Sequence, residues 1–426
     1  MPDTICALST APGGALGVIR VSGPQALEIV SHIINKNIDN IESNTIHFGR
    51  IKENLDIIDE VMFAVFRAPH SYTGENSVEI SCHGSRYILN KVLELLMKHG
   101  CRMAGPGEFT QRAYMNGKMD LSQAEAVADL IASTNKATHH LAISQLRGGI
   151  STELSKLREH LLKLSSLLEL ELDFSDHEDL EFADRTELLT LAKKIDAHIR
   201  RLVDSFQAGN ALKLGLPVAI IGAPNVGKST LLNQLLGEER AIVSDVQGTT
   251  RDAIEDTITL EGVTFRFIDT AGIRHTSDQI ERMGIDRSIK AAQRARIIIM
   301  MTEPGVPYPK IELHDEQTVI RIENKTEAFQ AKYGIGLDKL RQQLIAAIPP
   351  VSDSDIIVTN ARHYDALCRV QAALRRVLDG MQIQLSGDLL AEDLRDVLNI
   401  LAEITGGQIT PQETLNNIFR HFCVGK

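Results

Sequence analysis

Short apolar stretches bounded by polar residues over 15–21, 45–51, 60–66 and 77–82 read as strands, and 87–99 changes to helical spacing. Gly105-Pro106-Gly107 marks a turn. From Leu121 the pattern is helical: 150–172 repeats Leu at i, i+3, i+4 and i+7, and 185–206 is a second amphipathic segment. The periodicity then breaks. A continuous apolar run at 216–221 suits a buried parallel strand, 228–236 suits a helix with one apolar face, and 265–269 and 318–323 read as further strands. After Pro349-Pro350 the helical spacing resumes at 360–378, 388–405 and 411–422. These shifts predict a multidomain chain: an α+β domain over 1–118, a helical domain from 119–211 joined with 352–426, and an α/β domain at 212–351. The simplest architecture inserts the α/β domain into the helical one, with both its ends together at its base.

The stretch between the first α/β strand and its helix is Gly222-Ala-Pro-Asn-Val-Gly-Lys-Ser229. Glycines there let backbone N–H groups turn inward around a polyphosphate, and the helix N-terminus adds its positive dipole. Lys228 reaches β- and γ-phosphates and the Ser229 hydroxyl ligates Mg²⁺, so Asn225, Val226, Gly227, Lys228, Ser229 and Thr230 form a candidate triphosphate cradle. Two stretches follow in the order that a nucleotide switch requires. Gly248-Thr-Thr-Arg-Asp252 is polar and offers a Thr to Mg²⁺ and the γ-phosphate. A strand then leads into Asp269, Thr270, Ala271 and Gly272, whose glycine N–H can meet the γ-phosphate.

Guanine is read in such proteins by Asn-Lys-x-Asp after a strand. This chain has Asn324 and Lys325 in place, but Glu327 where Asp is expected, one methylene longer. Gln330, Ala331 and Lys332 stand where a Ser-Ala-Lys-like loop follows, after an unusually short interval, so the base side of the domain is abbreviated. Asn-Lys-x-acid favours GTP and opposes a phosphate-loop ATPase. The residue after Gly272 is Ile273, where Ras-like GTPases hold a water-positioning Gln; a hydrophobic side chain cannot orient water. Glu281 is near enough in sequence to replace it, or is a solvated residue on a switch helix.

Composition narrows the picture. The 426 residues exceed what one core usually covers. Apolar runs are too short to span a bilayer and Met1-Pro-Asp-Thr lacks a signal segment, so a cytoplasmic protein is expected. Cys6, Cys82, Cys101, Cys368 and Cys423 are scattered without a Cys-x-x-Cys, as reduced thiols would be. A net charge of −11 argues against a general nucleic-acid surface, leaving room for a local basic patch or a partner that supplies one. Trp is absent and aromatic residues make up 4%, too few for wide base-stacking platforms. Cys82-His83 has no second pair at ligand spacing, and the acidic run 173–181 lacks the glycine of a calcium loop; neither predicts a metal site.

The whole chain resembles the tRNA-modifying GTPase family called MnmE or TrmE. The resemblance is carried by Asp3-Thr-Ile-Cys-Ala7, Gly17-Val-Ile-Arg-Val-Ser-Gly23, Ser71-Tyr-Thr-Gly-Glu75 and Val78-Glu-Ile-Ser-Cys-His-Gly84. It continues in Pro106-Gly-Glu-Phe-Thr-Gln-Arg-Ala113, Asn116-Gly-Lys-Met-Asp-Leu121 and the terminus Phe422-Cys-Val-Gly-Lys426. Membership would imply an α+β folate-binding-like and dimerising N-terminal domain, an α-helical central domain and an inserted Ras-like GTPase. It would place nucleotide contacts on Ser244, Asp245, Val246, Gln247, Gly248, Thr249 and Thr250 as well, with Mg²⁺ on Ser229 and Thr250. Asn225, Ser244, Val246 and Thr249 would ligate K⁺, which takes the part of an arginine finger, and Glu281 would be the catalytic Glu. Arg20, Glu79, Lys118 and Lys426 would bind 5-formyl- or methylene-tetrahydrofolate, and Cys423 would be required for modification. The implied work is aminomethyl-type modification at C5 of the wobble uridine of certain tRNAs. It is shared between a homodimer and an FAD-dependent partner of the MnmG or GidA type. A regulatory switch that binds RNA or ribosomes without modification chemistry is the alternative; the N-terminal blocks and the Cys423 terminus argue against it.

Overall fold

The computed structural model describes residues 3–34, 36–173, 185–238, 256–268, 290–314, 317–349, 356–407, 412–420 and 422–425. The chain forms two compact units. One holds Met1–Ile131, Ser144–Glu159 and Arg395–Lys426, the other Ala132–Ile143 and His160–Leu394.

The first unit is built on a six-stranded sheet of β1 (Ile5–Leu8), β2 (Leu16–Ser22), β3 (Thr45–Glu53), β4 (Asp56–Phe66), β5 (Ser77–His83) and β6 (Arg102–Met103), ordered β3-β4-β5-β2-β1-β6. Neighbours are antiparallel except β1 and β6. Period-two alternation sets which face is buried. Ile19 and Val21 on β2, Val61, Phe63 and Val65 on β4, and Val78 and Ile80 on β5 pack against α1 (Ala26–Ile34) and α2 (Arg86–Lys98). Ile5 and Ala7 of β1 form a second small cluster with Phe109 on α3 (Glu108–Met115). Leu121 and Ala124 on α4 (Leu121–Ala132) join Leu415 and Phe419 on α12 (Gln412–Phe419), and Phe422 packs against them. Gly107 caps α3 in the left-handed region (φ 64°), and an added Cβ would lie 2.8 Å from Phe422, so both its backbone and its missing side chain are needed.

The second unit holds β7 (Leu216–Gly222), β8 (Asp256–Leu260), β9 (Val263–Phe267), β10 (Ile297–Thr302) and β11 (Thr318–Glu323), in the order β11-β10-β7-β9-β8. All described pairs are parallel except β8 with β9. One face packs on α8 (Lys228–Glu238) and α9 (Leu337–Ala346), the other on the helical turn at 290–294. Ala137 and Leu141 of α5 (Lys136–Leu146) also lie against the first face, and Ala137 N–H donates to Gly262 C=O at 3.0 Å. The long helices α6 (Gly149–Asp173), α7 (Arg185–Leu214), α10 (Ala361–Gln382) and α11 (Gly387–Thr405) complete the described elements.

The strands and helices differ from the sequence expectation in definite ways. β8 and β10 have no counterpart in that reading, because β8 alternates over only five residues and β10 is a six-residue apolar run without a period. β9 begins two residues earlier than expected, since Glu261-Gly262 forms a tight hairpin with β8. α7 continues to Leu214, to the doorstep of β7.

Candidate functional site

β7 delivers the chain to the loop 223–227, and α8 starts at Lys228. The loop turns on two left-handed residues, Asn225 (φ 62°) and Gly227 (φ 101°). Gly227 is required twice over, because a Cβ there would sit 2.4 Å from the amide nitrogen of Asn324. Val226 is buried and anchors the loop, while Asn225 is exposed and Ser229 and Thr230 are half-buried on the first turn of α8. Lys228 Nζ donates to the carbonyls of Gly222 and Ala223, each at 2.8 Å, and burial lowers its pKa. The ammonium is thus held over the loop, at the position where phosphate oxygens would meet it.

Asn324, at the end of β11, joins the two halves of the site. It is 4% exposed; its Nδ2 donates to Val226 C=O at 2.8 Å and its Oδ1 accepts from Ala331 N–H at 3.0 Å. The segment carrying Gln330, Ala331 and Lys332 is a single turn of 3₁₀ helix over Ala331–Tyr333, closed by a bridge between Gln330 and Ile335. Lys325 (φ 63°) pairs with Glu303, which follows β10. Glu327 is exposed, on a turn in which Thr326 Oγ1 donates to Glu323 C=O and accepts from Phe329 N–H, both at 3.1 Å. β11 is at the edge of its sheet among the described strands. Ser244, Asp245, Val246, Gln247, Gly248, Thr249, Thr250, Asp269, Thr270, Ala271, Gly272, Glu281 and Lys426 lie outside the described residues.

A second constellation sits in the first unit. The register of β2 on β5 sets Arg20 opposite Glu79, and the guanidinium grips that carboxylate through Nη2 (2.8 Å) and Nε (2.9 Å). The same guanidinium lies over the rings of Tyr72 (5.2 Å) and Phe109 (5.5 Å). Tyr72 shares a 2.8 Å hydrogen bond with Thr110, and burial raises its phenol pKa. Lys118 donates to Pro69 C=O at 3.0 Å, on the loop that carries Tyr72. Beneath that loop, Arg112 is 1% exposed and paired with Glu75, Glu108 and Asp3.

The end of the chain returns to this unit. Pro106 and Val424 form an antiparallel bridge, Cys423 C=O accepts from Gly107 N–H at 3.3 Å, and Ser9 Oγ donates to Gly425 C=O at 3.2 Å. Cys423 is exposed on this pinned tail. Cys82, by contrast, is buried with its pKa pushed up to about 12 by desolvation and by Asp59, while His83 Nδ1 lies 2.7 Å from Asp59. Tyr72 and Phe109 were not legible as site residues; only their place inside the quoted N-terminal blocks hinted at them.

A family model described as the GTP-binding protein TrmE N-terminus matches residues 4–118, and one described as the MnmE helical domain matches 121–423. The curated tRNA modification GTPase MnmE of Parabacteroides distasonis is 52% identical over 461 positions, covering 100% of both chains. Those of Bacteroides thetaiotaomicron and Bacteroides fragilis are 51% and 50% identical over 464 positions, covering 100% of this chain and 99% of theirs. Aligned stretches this long against 426 residues mean that the relatives carry segments this chain lacks. A crystal structure of Aquifex aeolicus Era with GDP and AlF4⁻ shares 24% identity over 37% of this chain and 65% of that one, at a TM-score of 0.22, too slight to inform the fold. With half of its residues identical to full-length relatives, and with phosphate loop, Asn-Lys pair and pinned Cys-terminus all present, the chain belongs to the MnmE family of tRNA modification GTPases.

Proposed function

We propose that this protein hydrolyses GTP in the service of tRNA modification, as a potassium-dependent GTPase working with an FAD-dependent partner on C5 of the wobble uridine. The carrying observation is the Asn324 bridge: a buried amide ties the phosphate loop at Val226 to the base-side segment at Ala331, so triphosphate and guanine are gripped by one connected structure.

In this reading the loop N–H groups and Lys228 hold the phosphates, leaving the carbonyls of Gly222 and Ala223 as the ammonium's resting partners. Ser229 and Thr250 would hold Mg²⁺, and Asn225, Ser244, Val246 and Thr249 would hold K⁺. The left-handed, exposed Asn225 fits such a role, because its side chain is not consumed in packing. A monovalent cation beside the phosphates supplies charge stabilisation in place of an arginine finger. Glu281 is assigned to orienting the attacking water.

The Arg20–Glu79 pair with Tyr72, Phe109 and Lys118 fits a reduced folate: a carboxylate for the amide edge of a pterin, flat rings beside it and a cation for the glutamate tail. Lys426 would add a second cation. Folate supplies one carbon unit when bound; the chain's own residues bind and orient it, and Cys423 stands exposed on a tail fixed to the same unit. The proposed organisation inserts the GTPase (212–351) into a helical domain (119–211 and 352–426) that follows the N-terminal domain (1–118).

A homodimer is supported by the uncovered face of the first sheet. Ile46 and Phe48 on β3 and Met62 on β4 are exposed there at 46–68%, side by side in register, with the Arg50–Glu60 pair at their edge. Nucleoside analysis of tRNA from cells lacking the gene tests the central claim. Loss of the C5 modification at wobble uridines is expected; an unchanged profile would overturn it in favour of a switch without modification chemistry.

A further inference from the structure

The acid excess of the chain, 56 Asp and Glu against 45 Lys and Arg, is unevenly distributed. Helices α7 and α10 carry ten Lys and Arg against five Asp and Glu. They pack along one another: Phe206 stacks on Tyr364 with centroids 4.2 Å apart, and Ser205 Oγ accepts from Val358 N–H just ahead of α10 at 3.1 Å. This crossing joins the C-terminal part of α7 to the start of α10, so the two helices run antiparallel. Ala192, Ile195 and Ile199 on α7, with Val370, Leu374 and Val377 on α10, are buried, which leaves the charged positions outside.

At 1.5 Å per residue, Lys193, Lys194, Arg375 and Arg376 all fall about 16–20 Å from the Phe206–Tyr364 crossing, at one level of the pair. Lys194 and Arg201, seven residues apart, share a face of α7 about 10 Å apart along its axis. Arg200 is tied to Asp196 and Arg376 to Asp393 on α11, and Asp379 lies one turn beyond Arg375. Lys193, Lys194, Arg201 and Arg375 are exposed and, among the described residues, meet no acidic partner. Exposed cations without acidic partners add nothing to stability as ion pairs, so a helix pair that gathers them makes physical sense as a receptor for negative charge. The aromatic pair at the crossing is spent on its own stack, which leaves a grip on phosphate and not on bases.

We propose that this strip on α7 and α10 tracks the phosphate backbone of the tRNA; the inference rests on the reading that tRNA is the substrate. It resolves how a chain of net charge −11 contacts a polyanion itself, through one locally basic element. The test is tRNA binding by the full-length protein across a salt titration, comparing wild type with the combined variant Lys193→Gln, Lys194→Gln, Arg201→Gln and Arg375→Gln. Removing four phosphate contacts should lower affinity at least about tenfold and reduce the slope of log K against log salt by about 3. GTP hydrolysis should stay at the wild-type rate, which establishes that the variant is folded, and Lys193→Arg with Lys194→Arg should keep wild-type binding. Wild-type affinity and slope in the combined variant would overturn the proposal. So would loss of binding to phosphatidylserine vesicles with tRNA binding untouched, which would assign the strip to a lipid surface. Failure of the underlying reading is separately visible: wobble uridines would then be unchanged in cells lacking the gene altogether.

Discussion

Replacing Asn324 by Ala tests the connected site most directly. The amide makes two buried hydrogen bonds, to Val226 C=O at 2.8 Å and from Ala331 N–H at 3.0 Å. Val226 is 2% exposed and Ala331 is 0%, so water cannot readily replace the lost partner on either side. A buried polar group left unpaired costs about 1–3 kcal/mol. Relaxation of the loop will recover part of the sum, leaving about 2–3 kcal/mol against the bound geometry, which is about 30- to 150-fold in affinity for GTP. Titration with a fluorescent GTP analogue reads this directly, and thermal unfolding reads what falls on the apo protein. Asn324→Asp is the informative companion. It keeps an acceptor for Ala331 N–H but sets a carboxylate oxygen against the Val226 carbonyl, so it should bind no better than the Ala variant. Affinity within twofold of wild type for Asn324→Ala would refute the view that this amide couples the phosphate and base sides.

Other outcomes follow from the same geometry. Glu281→Ala should leave GTP affinity nearly intact while abolishing hydrolysis, and exchange of potassium for sodium should slow turnover sharply; equal rates in both salts would exclude the cation mechanism. Arg112→Ala leaves the half-buried Glu75 without its cation and removes one of the two cations on Glu108, which keeps Arg102; it should destabilise the first unit by about 3 kcal/mol, visible in denaturant unfolding. Burial alone would raise the pKa of Glu108, but hydrogen bonds from Arg102, Gly105 N–H and Arg112 hold it below the usual value. A depressed carboxyl stabilises the fold above its unfolded pKa, so this contribution should be complete at neutral pH and disappear as pH falls below about 4. An acid-unfolding midpoint that does not move in Glu108→Gln would contradict it.

The phosphate loop was legible because its chemistry is local: strand, glycine turn, lysine and helix start occupy fourteen consecutive positions or so, about the reach of one strand–turn–helix unit. β5, with Val78, Ile80 and Cys82 buried between polar positions, was readable for the same reason, carrying its own period. β10 was not, because a central strand buried on both faces has no period to detect. Asn324 was legible as a guanine-side residue, but not as the tie to Val226, which lies 98 positions earlier and is brought to it only by the parallel order of β7, β10 and β11. Arg20 was singled out, yet its ring neighbours Tyr72 and Phe109 come from a loop and a helix that only the packing of the first unit brings to it.

The pinned tail has a consequence for how the molecule is made. Gly425 reaches back across 416 positions to Ser9, and Val424 lies beside Pro106. The corner that presents Cys423 therefore stays open during synthesis until residues 423–425 have left the ribosome, long after the phosphate loop has been made. A chain cut back to Phe422 would carry the phosphate loop in full but would have nothing with which to latch that corner.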